Sequence, residues 1–256
     1  MARYGGNTAC VEVRCGNRIV IFDGGSGLRG LGSELIKNRW PIKADIFYSH
    51  CHMDHVCGLP FFAPVDRAST TLRLWAGNLL PRHNLKQTFG QIFGAPFFPD
   101  DTFQRLSLSA EFHDFRAGDT LTPHPDIVIR SAPLIHPGGS TGYRLEHGGR
   151  AIAYITDTEH KPDDLDKRVL ALAKDADVLI YDCMYTREEH ASHVGWGHST
   201  WQEGVRLADA ASAKSLAIFH HDPGHDDRFL DGVAAEARAL RPGTFVAAEG
   251  TSIRLG

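Results

Sequence analysis

The stretch Ser49-His50-Cys51-His52-Met53-Asp54-His55 places His50, His52, Asp54 and His55 directly after the apolar run Ile46-Phe47-Tyr48. The run reads as a short buried strand, so the cluster falls in the loop or helix start behind it. Imidazole nitrogens and a carboxylate oxygen suit Zn²⁺, and Mn²⁺ or Fe²⁺ as well. One ion cannot easily use all of these groups. His50 and His52 alternate and point the same way on an extended segment, while Asp54 and His55 follow a change of direction and face a second position. The spacing therefore predicts two adjacent divalent ions, about 3.5–4 Å apart as in two-metal hydrolases. Cys51 lies between two ligand positions and is expected to point away from them.

Bulk properties narrow what such a chain can be. At 256 residues it has room for one large domain or two small ones, and 42% hydrophobic with 23% charged residues describes an ordinary globular protein with a sizeable core. The formal net charge of −4 offers no basic field for capturing long nucleic acid. Cys10, Cys15, Cys51, Cys57 and Cys183 form no CxxC pair and no even framework, which predicts free thiols in a reducing cytoplasm. No apolar run is long enough to span a membrane, and Met1-Ala2-Arg3-Tyr4-Gly5 lacks a secretory hydrophobic region.

Along the chain, 9–13 and 19–22 read as a hairpin, with Asp23-Gly24-Gly25-Ser26-Gly27 a tight strand-to-helix turn beside the ligand cluster. That glycine loop lacks the Lys-Ser/Thr of a P-loop. Asp23 is expected to hold a ligand histidine from behind. Helices are predicted over 28–38, 79–93, 165–174, about 200–211 and 229–240. Strands are predicted over 71–75, 103–115, 126–131, 150–156, 178–181, 216–219, 244–247 and 252–255. The Phe-rich stretch around Phe97 and Phe98 reads as core plus a wall of the substrate pocket. Ser140 and Thr141, in the Gly-rich turn after His136, could donate to a substrate oxygen, although turn chemistry explains them as well. Ser199 or Thr200 caps the helix that follows, with a Ser-x-x-Gln spacing like a capping box.

His-x-His-x-Asp-His behind an apolar strand resembles the signature of the metallo-β-lactamase superfamily, closest in motif to its phosphodiesterase and tRNase Z-like branch. The later residues that family asks for appear in order. The resemblance implies a single αββα sandwich over 1–256, two β-sheets flanked by helices, with ligands drawn from both halves and the site at the sheet edge between them. It implies His136 in Leu134-Ile135-His136-Pro137-Gly138-Gly139 as the third ligand, Asp157 as the carboxylate shared by the ions, and His220 as the last ligand. His221 is expected behind the site or in a phosphate pocket. An Asp157 that merely caps a helix is the plainer alternative. Phosphodiesterase-type members carry a His in a Gly-His-Ser-Thr segment, matched here by His198, which contacts the scissile phosphate and protonates the leaving oxygen. An acid matching Asp182 supports it.

The resemblance implies a metal-dependent hydrolase. His50, His52 and His136 would bind one ion, Asp54, His55 and His220 the other, with Asp157 bridging. Zinc is the first choice, manganese or iron the others. A water held by the pair would ionise near neutral pH and attack a phosphoryl centre, with Asp54 orienting it, and His198, held by Asp182, would protonate the departing alkoxide. The tRNA-trimming members carry a protruding RNA-binding arm for which the short 136–157 interval leaves no room. A small phosphodiester, a cyclic nucleotide included, is thus preferred over long nucleic acid. No membrane partner is expected, and relatives commonly form homodimers. Two rivals use the same residues: a carboxyl-ester, lactone or thioester hydrolase, and a non-catalytic sensing module that keeps its metals.

Overall fold

The computed structural model describes residues 3–38, 41–67, 69–161 and 164–256. Met1 and Ala2, which open the stretch read as lacking a secretory segment, lie outside them. The chain divides into two compact units, Asn7–Arg116 and Ala117–Gly256, the latter joined by the residues up to Gly6. Each unit has its own sheet, helices and apolar core, so the protein is mixed α/β with two sheets flanked by helices.

In the first unit β1 (Val11–Cys15) and β2 (Arg18–Phe22) form the expected hairpin around Gly16-Asn17. β3 (Lys43–Tyr48), β4 (Thr71–Ala76) and β5 (Ala110–Asp114) follow in the order β1-β2-β3-β4-β5, parallel from β2 onward. Parallel neighbours need crossovers, and α1 (Gly27–Asn38) supplies the one between β2 and β3. Covered on its faces, β3 is buried at every position after Lys43. Ile21, Ile46 and Leu74 share a core with Leu28, Leu35, Leu59, Phe62 and Phe89. Each such side chain contributes about 1.5–3 kcal/mol on burial. Because β2 and β3 run the same way, they deliver Asp23 and Ser49-His50 to one sheet edge, ahead of the single turn α2 (Met53–Val56).

Two predicted elements differ here. The helix expected over 79–93 is α3 (Leu85–Ile92), begun at Asn84, whose side chain accepts from Gln87 N. Pro81 cannot stand inside a helix, so the stretch before Asn84 is turns. The strand expected over 103–115 is α4 (Thr102–Leu108) followed by β5.

The second unit holds β6 (Thr120–His124), β7 (Ile127–Leu134), β8 (Ser140–His147), β9 (Arg150–Ile155), β10 (Val178–Asp182), β11 (Ser215–Phe219) and β12 (Thr244–Val246), ordered β12-β11-β10-β9-β8-β7-β6. β9 to β12 are parallel, and two antiparallel steps return β7 to the same direction as β9. The C-terminal ends of β7, β9, β10 and β11 therefore share one edge, and His136, Asp157, Asp182 and His220 sit there. α5 (Lys167–Ala173), α6 (Arg187–His190), α7 (Trp201–Ala210) and α8 (Asp227–Leu240) accompany this sheet. α5, α7 and α8 bury Leu172, Val205, Leu207, Leu230 and Val233 with Leu179, Leu216 and Ile218 of the strands. β6 is a strand beyond those predicted, and 252–255, expected as a strand, has no strand assignment. Among the described residues no helix is long and apolar enough to cross a membrane.

Candidate functional site

The first unit gathers His50, His52, Asp54 and His55 around one carboxylate. Asp23, fully buried and in the left-handed region at φ 60°, accepts from Ser49 N at 2.7 Å, from Ser49 Oγ at 2.8 Å and from His55 Nδ1 at 2.8 Å. Ser49 Oγ, its hydrogen spent on Asp23, lies 3.0 Å from His50 Nδ1, which places it as acceptor of that ring's N–H. His50 and His55 thus each commit Nδ1 to the layer behind and turn Nε2 forward, the arrangement metal-ligating histidines adopt. His55 Nε2 lies 3.1 Å from Asp54 Oδ2, and the His50 ring centroid is 4.4 Å from those of His52 and His55. Cys51 packs against the first core as expected of a residue between ligand positions. Burial, with Asp23 nearby, pushes its thiol up to about 12.

The glycine loop supports this cluster through its backbone. Gly24 N donates to His55 O at 2.8 Å, and Gly58 N donates to Gly24 O at 2.9 Å. A Cβ on Gly58 would stand 1.9 Å from Gly25 O, against backbone that cannot yield. Gly58→Ala is expected to destabilise the protein by about 3 kcal/mol. A urea titration showing an unchanged midpoint would contradict this.

The second unit gathers His136, Asp157, His198, Asp182 and His220. Asp157 and His220 leave their strands in the left-handed region, at φ 54° and 61°. Among the described residues only Asp23, Asp157, Asp175, Ser212 and His220 are non-glycines there, so three of the five belong to the two clusters. Asp157 Oδ1 lies 3.8 Å from His136 Nε2, and Oδ2 lies 3.4 Å from His220 Nε2, so each oxygen faces a different imidazole. Ligands of a tetrahedral zinc at about 2.1 Å stand about 3.4 Å apart, which these spacings approach. No helix starts directly behind Asp157, which rules out the capping alternative.

His136 Nδ1 is 2.9 Å from Gly197 O, leaving Nε2 toward Asp157. His198 Nδ1 is 2.9 Å from Asp182 Oδ2, and Asp182 is itself fixed by Ser199 N at 3.2 Å and Met184 N at 3.1 Å on Oδ1. Burial works against the His198 imidazolium. The hydrogen bond and charge of Asp182 outweigh it and raise the ring's pKa above the ordinary histidine value. The His198 and His220 rings stack with centroids 5.1 Å apart.

Ser140, Thr141 and His221 lie at or behind the strand ends of the second sheet. Ser140 opens β8 instead of sitting in a turn, and its hydroxyl donates to Asp157 O at 2.8 Å, holding the left-handed turn. Thr141 is fully buried. His221 Nε2 lies 3.0 Å from Ala247 O, and burial lowers its pKa. The helix cap is Thr200, accepting from Glu203 N, whereas the full capping box belongs to Thr186 and Glu189 of α6. Sequence reasoning missed Ser49 and also Glu159, whose carboxylate sits on the amides of Gly195 and Gly197. The Gly-x-Gly pair before His198 was the available signal.

The donor set fits divalent metal. Every candidate offers an imidazole nitrogen or a carboxylate oxygen, and His50, His55, His136 and His198 have their second nitrogen already committed. The chain is similar to the ribonuclease Z of Gemmatimonas aurantiaca, at 26% identity over 268 residues, covering 83% of this chain and 79% of that protein. Among solved structures it is similar to the short form of human tRNase Z, with a TM-score of 0.66 at 19% identity, covering 97% of this chain and 93% of that one. A diphosphatase of the PhnP family aligns with a TM-score of 0.68 at 19% identity, covering 96% and 84%. Residues 18–221 match the β-lactamase superfamily domain. With the ligand-bearing strand ends of both units inside that match, the chain belongs to the β-lactamase superfamily and is one of its metal-dependent hydrolases.

Proposed function

We propose that the protein is a phosphodiesterase for a small phosphodiester, cyclic nucleotides included. The observation that carries this reading is the His198–Asp182 pair, 2.9 Å apart, beside the Asp157 carboxylate. An alkoxide departing from phosphorus needs such a proton donor and a thioester's thiolate does not, while an ester or lactone alkoxide is separated from the phosphodiester by the substrate panel below.

His50, His52 and His136 would hold one ion and Asp54, His55 and His220 the other, with Asp157 shared and zinc the preferred metal. Bound metal supplies positive charge to a phosphoryl oxygen and makes a nucleophile available near neutral pH. Asp23, through Ser49 and His55, keeps the first cluster in its ligating orientation. Gly197 does so for His136. Asp182 holds Nδ1 of His198 and favours the imidazolium, whose Nε2 proton goes to the leaving oxygen. The whole chain, 1–256, is read as one functional domain because the family match runs through both units. Among the described residues no disulfide links the cysteines, which supports a cytoplasmic setting.

The name of the ribonuclease Z relative keeps RNA on the test panel. Against it, the interval between His136 and Asp157 is filled by β8, the Gly148-Gly149 turn and β9, with no added arm. Zinc-loaded protein should turn over bis(p-nitrophenyl) phosphate and at least one cyclic nucleotide faster than precursor tRNA, esters or lactones. His198→Ala should lower turnover of the cyclic nucleotide by about a hundredfold while zinc content stays unchanged. Lactone or thioester turnover that survives His198→Ala, with phosphodiesters untouched, would replace this reading with its carbon-ester rival. Inertness across the whole panel would favour the sensing module.

A further inference from the structure

Glu159 stands two residues beyond Asp157 and takes no part in the donor clusters. Its backbone N–H donates to Ile135 O at 2.8 Å, tying it to the residue before His136. Its carboxylate accepts from Gly195 N at 2.9 Å through both oxygens and from Gly197 N at 2.9 Å through Oε2. Gly195 and Gly197 hold φ at 89° and 86°, the left-handed geometry that points backbone N–H groups into one concavity and makes an anion-binding nest. Gly197 then passes its carbonyl to His136 Nδ1, and the next residue is His198. A Cβ on Gly197 would stand 2.3 Å from His136 Nδ1, so this contact admits only glycine.

These bonds close a ring. Glu159 is fixed to the end of the His136 strand by its main chain and to the 195–197 loop by its side chain, and the loop returns to His136. Val194 and Trp196 of the loop are exposed; His193, stacked on Tyr185 at 4.5 Å with Nδ1 2.7 Å from Glu189 O, anchors the part before Gly195, and Glu159 holds the amides of Gly195 and Gly197. We propose that Glu159 is a positioning residue: an internal carboxylate seated in the Gly195–Gly197 nest that sets the placement of the proton donor His198 and the orientation of His136. The part concerning His198 rests on the phosphodiesterase reading above, and the part concerning His136 does not.

The test uses full-length, zinc-loaded Glu159→Ala and Glu159→Gln, with circular dichroism as the fold check. Zinc affinity, measured by chelator competition, is expected to fall about thirtyfold in Glu159→Ala. Acetate at high concentration should restore it to within about threefold, because the emptied nest accepts a free carboxylate. Glu159→Gln keeps one acceptor but aims an amide donor at a nest N–H, and should lose about fivefold. Turnover of a phosphodiester with an alkoxide leaving group should fall about thirtyfold in Glu159→Ala, while bis(p-nitrophenyl) phosphate, whose leaving group needs no proton, falls no more than about threefold. Unchanged zinc affinity in both variants, or a loss that acetate does not restore, overturns the proposal. If Glu159→Ala fails to fold, Glu159→Gln decides it: wild-type zinc affinity there counts against the clamp. Restored zinc affinity without any leaving-group dependence would keep the clamp and sink the proton-donor reading.

Discussion

Asp157→Asn is expected to lower metal-dependent turnover by about a thousandfold or more and to reduce bound metal below that of the parent protein. The substitution is chosen because it preserves shape. Asparagine tolerates the left-handed backbone that Asp157 adopts at φ 54°, and its amide can still meet the hydroxyl of Thr156, which lies 2.8 Å from Oδ2. What it removes is charge and one acceptor. The carboxylate has one oxygen facing His136 and the other facing His220. An amide nitrogen cannot ligate in place of the second oxygen, and it would turn N–H donors toward imidazole nitrogens that would serve as ligands in the proposed assignment. Loss of roughly 4 kcal/mol of transition-state stabilisation corresponds to the predicted thousandfold. Elemental analysis and single-turnover rates check it. Full metal content with more than a tenth of parental activity would remove Asp157 from the centre.

Much of this site was legible because it lies where strands end. Apolar runs that finish in or just before Asp or His at 50, 157, 182 and 220 are readable as a pattern, and parallel pairing within each sheet brings the strand ends of that sheet to one edge. Less legible were elements whose residues obey a rule only in context. Thr120–His124 contains Pro123, which argues against a strand, yet β6 is the outermost strand of its sheet, where a missing N–H costs little. In 102–108, Thr102 and Leu106 are buried four residues apart on one helical face while Leu108 is exposed, and the Phe and Leu content disguised that period as a strand. Least legible were the groups behind the ligands. Ser49 looks like a loop residue and Glu159 like a surface acid, and only the turns of the backbone at Asp23, Gly195 and Gly197 bring them to their partners.

Asp23→Ala is expected to weaken metal binding by about a hundredfold and to destabilise the apo-protein by about 3 kcal/mol, the two effects arising from the same three hydrogen bonds. The carboxylate is fully buried and serves Ser49 N, Ser49 Oγ and His55 Nδ1. Alanine leaves Ser49 N without its acceptor and His55 Nδ1 with only Ser49 Oγ, 3.4 Å away, in a buried setting, at about 1–3 kcal/mol for each bond lost. It also frees the hydroxyl of Ser49 to donate to His50 Nδ1, 3.0 Å away, which would shift that ring's proton to Nε2 and block the nitrogen that faces forward. One deletion thus disturbs two candidate ligands, although Asp23 itself faces neither ion in the proposed assignment. Asp23→Asn separates the contributions: its carbonyl can still accept from Ser49 N, so stability should recover by about half while metal affinity stays low. Chemical denaturation of the metal-free protein and zinc competition of the folded variants measure the two effects apart. If Asp23→Ala bound zinc like the parent protein while losing the expected stability, Asp23 would be a packing residue and the orientation of His50 and His55 would have another cause.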